Sequence, residues 1–384
     1  MMKFGLLPRI ITAIVLGILI GLIAPNPLIR IFATFNGLFG NFLGFIIPLL
    51  IIGFIVPGIG AIGKGSGKLL GWTAAIAYIS TIGAGLLAYF TANSLYPSML
   101  AGQSLQEFAN PEEALSAAYF DIEMEPLMGV MTALLLSFLF GIGIAAVNSE
   151  PLLKLANDFR SIIHLVIEKI IIPLLPFHIF GIFANMTHAG QVGSILNIFI
   201  KVFAMIIVLH IAYLLIQYTM AGSVQKRNPL SMLKTIIPAY FTALGTQSSA
   251  ATIPVTLRQT KHIVKNDKVA DFAVPLLATI HLSGSTITLV SCAMAIMFMQ
   301  GQSAAFALMF PFILMLGITM VAAPGVPGGA VMAAIGLLES MLGFGPAMTA
   351  LMIALYITQD SFGTACNVTG DGAITAIVDR IGQR

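Results

Sequence analysis

Apolar runs about as long as a membrane-spanning helix requires, roughly 20 residues, recur from one end of this chain to the other. They constrain the fold more than any motif does. The 384 residues are 58% hydrophobic and 9% charged, whereas soluble domains carry about 25% charge. That balance excludes a soluble enzyme, a nucleic-acid binder and a disordered chain. The bilayer is the solvent, and membrane lipid is the first partner. Cys292 and Cys366 both lie in apolar runs, so they supply neither a disulfide framework nor metal-ligand spacing. The basic start, Met1 to Arg9, precedes an apolar run that reaches Ala24. That run is too long for a typical signal core and has no small-x-small cleavage site, so it reads as a first span.

The pattern predicts an all-α membrane protein with eight transmembrane helices. The first six fall at about 9–25, 36–58, 69–93, 127–147, 159–184 and 193–220. Threading from a cytoplasmic N-terminus gathers most Lys and Arg on one side, from Lys3 and Arg9 through Lys226, Arg227, Lys265 and Lys268 to Arg380 and Arg384. Loop 98–125 carries Glu107, Glu112, Glu113, Asp121, Glu123 and Glu125 with no Lys or Arg, and belongs outside. This positive-inside asymmetry puts both termini in the cytoplasm. It holds only if two later segments re-enter the membrane instead of crossing it.

The first such segment is 229–262, where an apolar half meets the polar tip Gly245-Thr246-Gln247-Ser248-Ser249 and a second half returns to basic residues. The second is 304–342, whose apolar halves flank Ala323-Pro324-Gly325-Val326-Pro327-Gly328-Gly329. Between them, the span 272–299 is broken at His281-Leu282-Ser283-Gly284-Ser285. Non-helical backbone at membrane depth survives only where protein or a water-filled cavity covers it. Paired, interrupted segments point to a transporter built from inverted repeats, with its site at their tips.

The last helix, 347–378, holds two acids at membrane depth, Asp360 and Asp371. A charge there costs about 2.5–3.5 kcal/mol on insertion scales and reads as functional by default. Asp360, Thr364, Asn367 and Asp371 are spaced 4, 3 and 4. They share one face, within about 60° of arc and over about 16 Å. This oxygen-rich stripe suits a hard cation or an ammonium group. Ser248 and Ser249 add hydroxyls and, at a helix start near Ala250, free amides that favour a carboxylate. The glycines of the second tip let backbone approach closely. Together the parts would hold an amino acid, its ammonium on Asp360.

Three stretches in register resemble a known family. Thr246-Gln247-Ser248-Ser249-Ala250-Ala251-Thr252-Ile253-Pro254-Val255-Thr256-Leu257-Arg258 is similar to the first-hairpin motif of the dicarboxylate/amino acid:cation symporters, the glutamate-transporter family. Gly325-Val326-Pro327-Gly328-Gly329 resembles their second-hairpin tip. Gln359-Asp360-Ser361 and Asn367-Val368-Thr369-Gly370-Asp371 resemble their last helix, the former in its serine/threonine-transporting branch. The resemblance implies eight spans, two re-entrant hairpins, a homotrimer in a prokaryotic inner membrane, and elevator-like movement. Scaffold would comprise 1–68 and 98–190, and the transport domain 69–97 and 191–384. Carried over by position, substrate would touch Ser248, Ser249, Ser285, Val326, Gly329, Asp360, Gly363, Thr364 and Asn367. Sodium ions would be held by Asp371 and Asn367, with the backbone carbonyls of Thr279 and His281. Sodium is then a coupling ion, and no organic cofactor is implied.

The departures from the family set the substrate expectation. Gly363 stands where acidic-substrate members carry Arg, and Gln247 where some relatives carry it instead. The implied cargo is a small neutral amino acid of the serine, threonine or alanine type, moved by sodium-coupled symport. The alternative is a dicarboxylate or acidic amino-acid symporter driven by sodium or protons. Ser283 replaces the aspartate of the family's third sodium site, which implies fewer sodium ions. His281 is open between a proton carrier, a ligand and a hydrogen-bonding filler. Ser80-Thr81 reads as a helix-packing pair, Lys201 as a snorkelling lysine, and His164, His178, His188 and His210 as structural. A channel is a further possibility. An intramembrane enzyme using Asp360 and Asp371 is opposed by spacing, because a proton-sharing pair sits about 3 Å apart.

Overall fold

The structure is a computed structural model that describes residues 6–60, 67–99, 115–190, 192–321, 323 and 328–381. Val326, most of the second-hairpin tip and the loop acids Glu107, Glu112 and Glu113 lie outside the described residues. The described residues are helical, without strands. In chain order the helices are α1 (Leu6–Ile23), α2 (Asn26–Gly60), α3 (Gly67–Met99), α4 (Val130–Val147), α5 (Glu150–Val166), α6 (Ile172–His188) and α7 (Val192–Gln225). They continue as α8 (Pro229–Thr246), α9 (Ser249–Lys261), α10 (Asp267–Ile280), α11 (Ser283–Met299), α12 (Phe306–Met320), α13 (Gly329–Leu342) and α14 (Pro346–Ile381). A π-helical turn, Ile167–Ile171, joins α5 to α6 without a break.

Among the described residues, five stretches are long and apolar enough to cross a membrane: Asn26–Pro57, Leu69–Met99, Glu150–His188, Leu196–Gln225 and Asp267–Met299. Four shorter apolar helices accompany them, including one in each arm of the second interrupted segment, Phe306–Met320 and Gly329–Leu342. Large apolar side chains such as Ile23, Ile79, Leu127 and Ile200 are exposed, as lipid-facing residues are. Polar side chains gather at the centre instead. Helix α11 and helix α14 are buried along almost their whole lengths.

The interrupted segments fold as broken helices, and local chemistry explains each break. Asn228 caps α8, accepting from the amides of Leu230 and Ser231, with Pro229 in the first turn. Helix α8 stops where Gln247 adopts a left-handed conformation (φ 53°). Ser248 then caps α9, its hydroxyl accepting from Ala251 at 3.3 Å. The break in the seventh span is only His281 and Leu282, so Ser283, Gly284 and Ser285 already belong to α11. Gly328 precedes α13 with φ +77°, a conformation costly for any residue with a Cβ.

Helix packing falls into two neighbourhoods. Helix α1 packs on α6, and α2 packs on α4, α5 and α6. Helix α14 packs against α7, α8, α9, α10 and α11, while α3 lies along α11 and α12. Two connections tie ends together. At one, the buried Asp379 carboxylate accepts from Gln225 Nε2 at 2.9 Å, Lys265 N at 2.9 Å and Asn266 N at 3.2 Å. It thereby joins the ends of α7 and α14 to the turn between α9 and α10. At the other, Lys201 Nζ donates to the Met99 carbonyl at 2.7 Å. Lys201 therefore caps the C-terminus of α3, where a cation complements the helix dipole.

Helix α2 begins about one helical third earlier than its apolar run, because its polar residues find partners. Arg30 donates to the carbonyls of Ala117 and Ala118 at 3.1 and 3.3 Å, and Asn41 donates to Asp121 at 2.7 Å. Thr34 Oγ1 accepts from the Tyr119 amide at 2.8 Å. The segment following residue 115 is thus strapped along α2.

Candidate functional site

The stripe on α14 faces the broken ends of its neighbours. Asn367 is held hardest: its Oδ1 accepts from Gly284 N at 2.8 Å and Ser285 N at 3.2 Å. Those are free amides at the start of α11, which a helix leaves without internal partners. Its Nδ2 donates to Ser285 Oγ at 2.9 Å. One amide hydrogen of Asn367 remains for a ligand. His210 braces the same turn, donating from Nε2 to the Gly284 carbonyl at 3.0 Å, with the Thr288 hydroxyl at 3.2 Å.

Asp360 sits under the second hairpin. Gly328 N donates to its Oδ2 at 2.7 Å. Around it lies a chamber of about 20 Å³ lined by Gln247, Ser249, Ala278, Leu282, Ser285, Ala323, Ala330, Tyr356, Asp360, Thr364 and Asn367. The sequence reading brought Ser249, Ser285, Asp360, Thr364 and Asn367 to one place, and they meet there. Gly329 opens α13 beside them. Ser248 does not line the chamber, because its hydroxyl is spent on the α9 cap. Gly363 faces the first turn of α11: a Cβ there would lie 3.5 Å from Ser285 N and 3.6 Å from Thr288 Oγ1. Tyr356 was not anticipated. The stripe extends one turn towards the N-terminus, since 356 and 360 are also four apart, and that periodicity was the available signal.

Asp371, one turn beyond Asn367, meets His281 instead of the chamber. Its Oδ1 lies 2.9 Å from His281 Nδ1, with both side chains buried. The other imidazole nitrogen is 3.0 Å from Ser80 Oγ. Gln217 Nε2 donates to that hydroxyl at 3.0 Å, and Tyr213 donates to the Ser80 carbonyl. Ser80 is therefore a member of a buried polar network, not simply a packing residue. Asp371 Oδ2 and Gln217 Oε1 are buried without a hydrogen-bond partner among the described residues, two acceptors available to a cation or a donor. The Thr279 side chain is exposed, and its hydroxyl turns back to Leu276 O at 2.7 Å. Only backbone carbonyls at the end of α10 could contribute from there, and a helix leaves its last carbonyls without internal donors.

Oxygen donors around one buried carboxylate, broken helices converging on a polar stripe, and two interrupted segments make a binding site inside a membrane protein. Over residues 6–381 the sequence matches the sodium:dicarboxylate symporter family. The chain belongs to that family. It is a multi-pass membrane protein and a secondary transporter, not an enzyme. Among its relatives are the serine/threonine transporters SstT of Acinetobacter baumannii strains ATCC 17978, SDF and AYE. Each is 26% identical over 396 residues, covering 98% of this chain and 97% of the relative. The match takes in the polar stripe on α14 and both interrupted segments.

Proposed function

We propose that this symporter carries a small neutral amino acid of the serine, threonine or alanine type, driven by sodium. One observation carries the reading: Asp360 is the only acidic or basic side chain among the described residues that line the chamber. One carboxylate matches one ammonium. Among the described residues, no Arg, Lys or His lines the chamber to receive a second carboxylate from the ligand, and an unpaired buried charge costs several kcal/mol. The ligand's own carboxylate would lie at the start of α9, near Ser249 and the remaining Asn367 amide hydrogen. The SstT relatives are serine/threonine transporters, which agrees with this class. A dicarboxylate cargo fits the family's name but not the chamber.

Sodium would bind at Asp371 Oδ2, with backbone carbonyls of Asn367 and of the end of α10. The expected result is that serine accumulates in proteoliposomes under an inward sodium gradient, and that glutamate and succinate compete at least tenfold more weakly. Glutamate or succinate winning the competition would overturn the substrate assignment.

The chamber is about 20 Å³, enough for roughly one water, so an amino acid enters only if a hairpin tip moves away. We read α8–α9 and α12–α13 as hairpins that re-enter from opposite sides, and both termini as cytoplasmic. The two packing neighbourhoods support a scaffold of α1, α2, α4, α5 and α6 that carries the rest as an elevator. A homotrimer in a prokaryotic inner membrane would be the natural assembly. Cysteines placed at Lys226 and Lys265 should be labelled only from the cytoplasmic side of sealed cells. Labelling of either from outside would refute the re-entrant layout.

A further inference from the structure

Tyr356 is fully buried, lines the chamber, and its hydroxyl has no hydrogen-bond partner of good geometry among the described residues. Buried tyrosine hydroxyls ordinarily find a partner, because a dry, unpaired one is costly. The hydroxyl lies beside the Asp360 carboxylate and Ser285. Asp360 Oδ2 also accepts from the Gly328 amide at 2.7 Å, and Ser285 Oγ from Asn367 Nδ2 at 2.9 Å. The phenol thus lines a ligand chamber beside two polar groups without a well-aligned hydrogen bond to either.

We propose that Tyr356 is a specificity-determining residue that recognises the side-chain hydroxyl of a β-hydroxy amino acid. The inference rests on the reading of Asp360 as the ammonium partner. With the ammonium there, a β-hydroxyl is three bonds away from the anchored nitrogen, and Tyr356 is the neighbouring side chain one helical turn along α14. A hydroxyl ligand can both accept from the phenol and donate to it. Alanine leaves the phenol with only its poorly aligned protein neighbours. A site built to hydrogen-bond a ligand hydroxyl rejects an analogue that lacks it, because its own buried polar group is then left unsatisfied. Tyr356 and Ser285 both line the chamber, and their neighbouring hydroxyls suit serine and threonine over alanine.

The test is competition binding to the purified full-length protein in detergent with saturating sodium. Wild-type protein should bind L-serine at least about tenfold more tightly than L-alanine, the scale of one unsatisfied buried hydroxyl. Tyr356→Phe should bring serine down to the alanine level while alanine moves less than about threefold, a split that a loss of general packing would not produce. A second measurement needs no variant. L-cysteine has nearly the shape of serine but a weak hydrogen-bonding thiol, so it should bind wild-type protein like alanine. If neither serine nor alanine binds the wild-type protein, the neutral amino-acid reading fails and takes this proposal with it. If both bind but the ratio survives in Tyr356→Phe, if both fall alike, or if cysteine binds as tightly as serine, the role of Tyr356 alone is overturned.

Discussion

Asp360→Asn should weaken binding of a small neutral amino acid by at least about a hundredfold. Stranding one member of a buried ion pair costs about 3–5 kcal/mol, and each 1.4 kcal/mol is about tenfold in affinity. The substitution is well controlled by the structure. An asparagine oxygen can still accept from Gly328 N, as Asp360 Oδ2 does at 2.7 Å, so the second interrupted segment keeps its seat. Asp371 and its imidazole partner lie three turns further along α14 and are untouched. Sodium-dependent thermal stabilisation of the purified variant should therefore persist while amino-acid binding disappears. A variant that binds serine normally would remove Asp360 from the ammonium role.

The second large effect is steric and independent of any ligand. A Cβ on Gly284 would stand 2.5 Å from the Gly363 carbonyl oxygen and 2.5 Å from Cys366 Cβ. Neither is the loose end of a side chain. Helix α11 would have to lift from α14, and the Asn367 bonds to Gly284 and Ser285 would be lost with the contact. Overpacking alone costs about 1–3 kcal/mol, and the stranded amides add to it. Gly284→Ala should lower the thermal midpoint by several degrees and abolish amino-acid binding. A variant with the wild-type midpoint and affinity would show that the crossing is looser than the backbone separation implies.

Much of the fold could be read locally, because its signals are local. Asn228 and Pro229 start α8, and the polar tip after Leu244 stops it. The same holds at His281 and Leu282, where two residues interrupt an otherwise apolar stretch. The stripe through Asp360, Thr364, Asn367 and Asp371 was legible from helical spacing alone. What sequence could not supply was the partner across each interface. Nothing near Asn367 says that it caps α11, a helix more than 80 residues away. Asp371 read as a cation ligand, and the structure sets an imidazole on one of its oxygens. Helix α10 has a buried face running from Val269 and Ala270 through Ala273 and Val274 to Leu277 and Ala278, but that face does not name the helix it meets. Arg30 and Thr34 hid the first turns of α2 for the converse reason. They precede the apolar run, and a distant segment of chain satisfies them.

On the proposed reading, the knot at Asp379 would make the two interrupted segments unequal doors. It lies where α8–α9 would have to hinge, and it ties that hinge to a buried carboxylate through hydrogen bonds from Gln225, Lys265 and Asn266. Buried polar groups are costly to separate from their partners, so this end of the hairpin would resist opening. At the start of α13 the backbone amide of Gly328 meets the stripe on Asp360, at a residue whose backbone has glycine's latitude. That amide is a latch on the same carboxylate that would greet the cargo, so arrival of an ammonium and loosening of the latch draw on one group. If the proposed elevator movement holds, Asp360 and Asp379 would travel together on α14, and both faces of the membrane would be served without undoing the Asp379 knot.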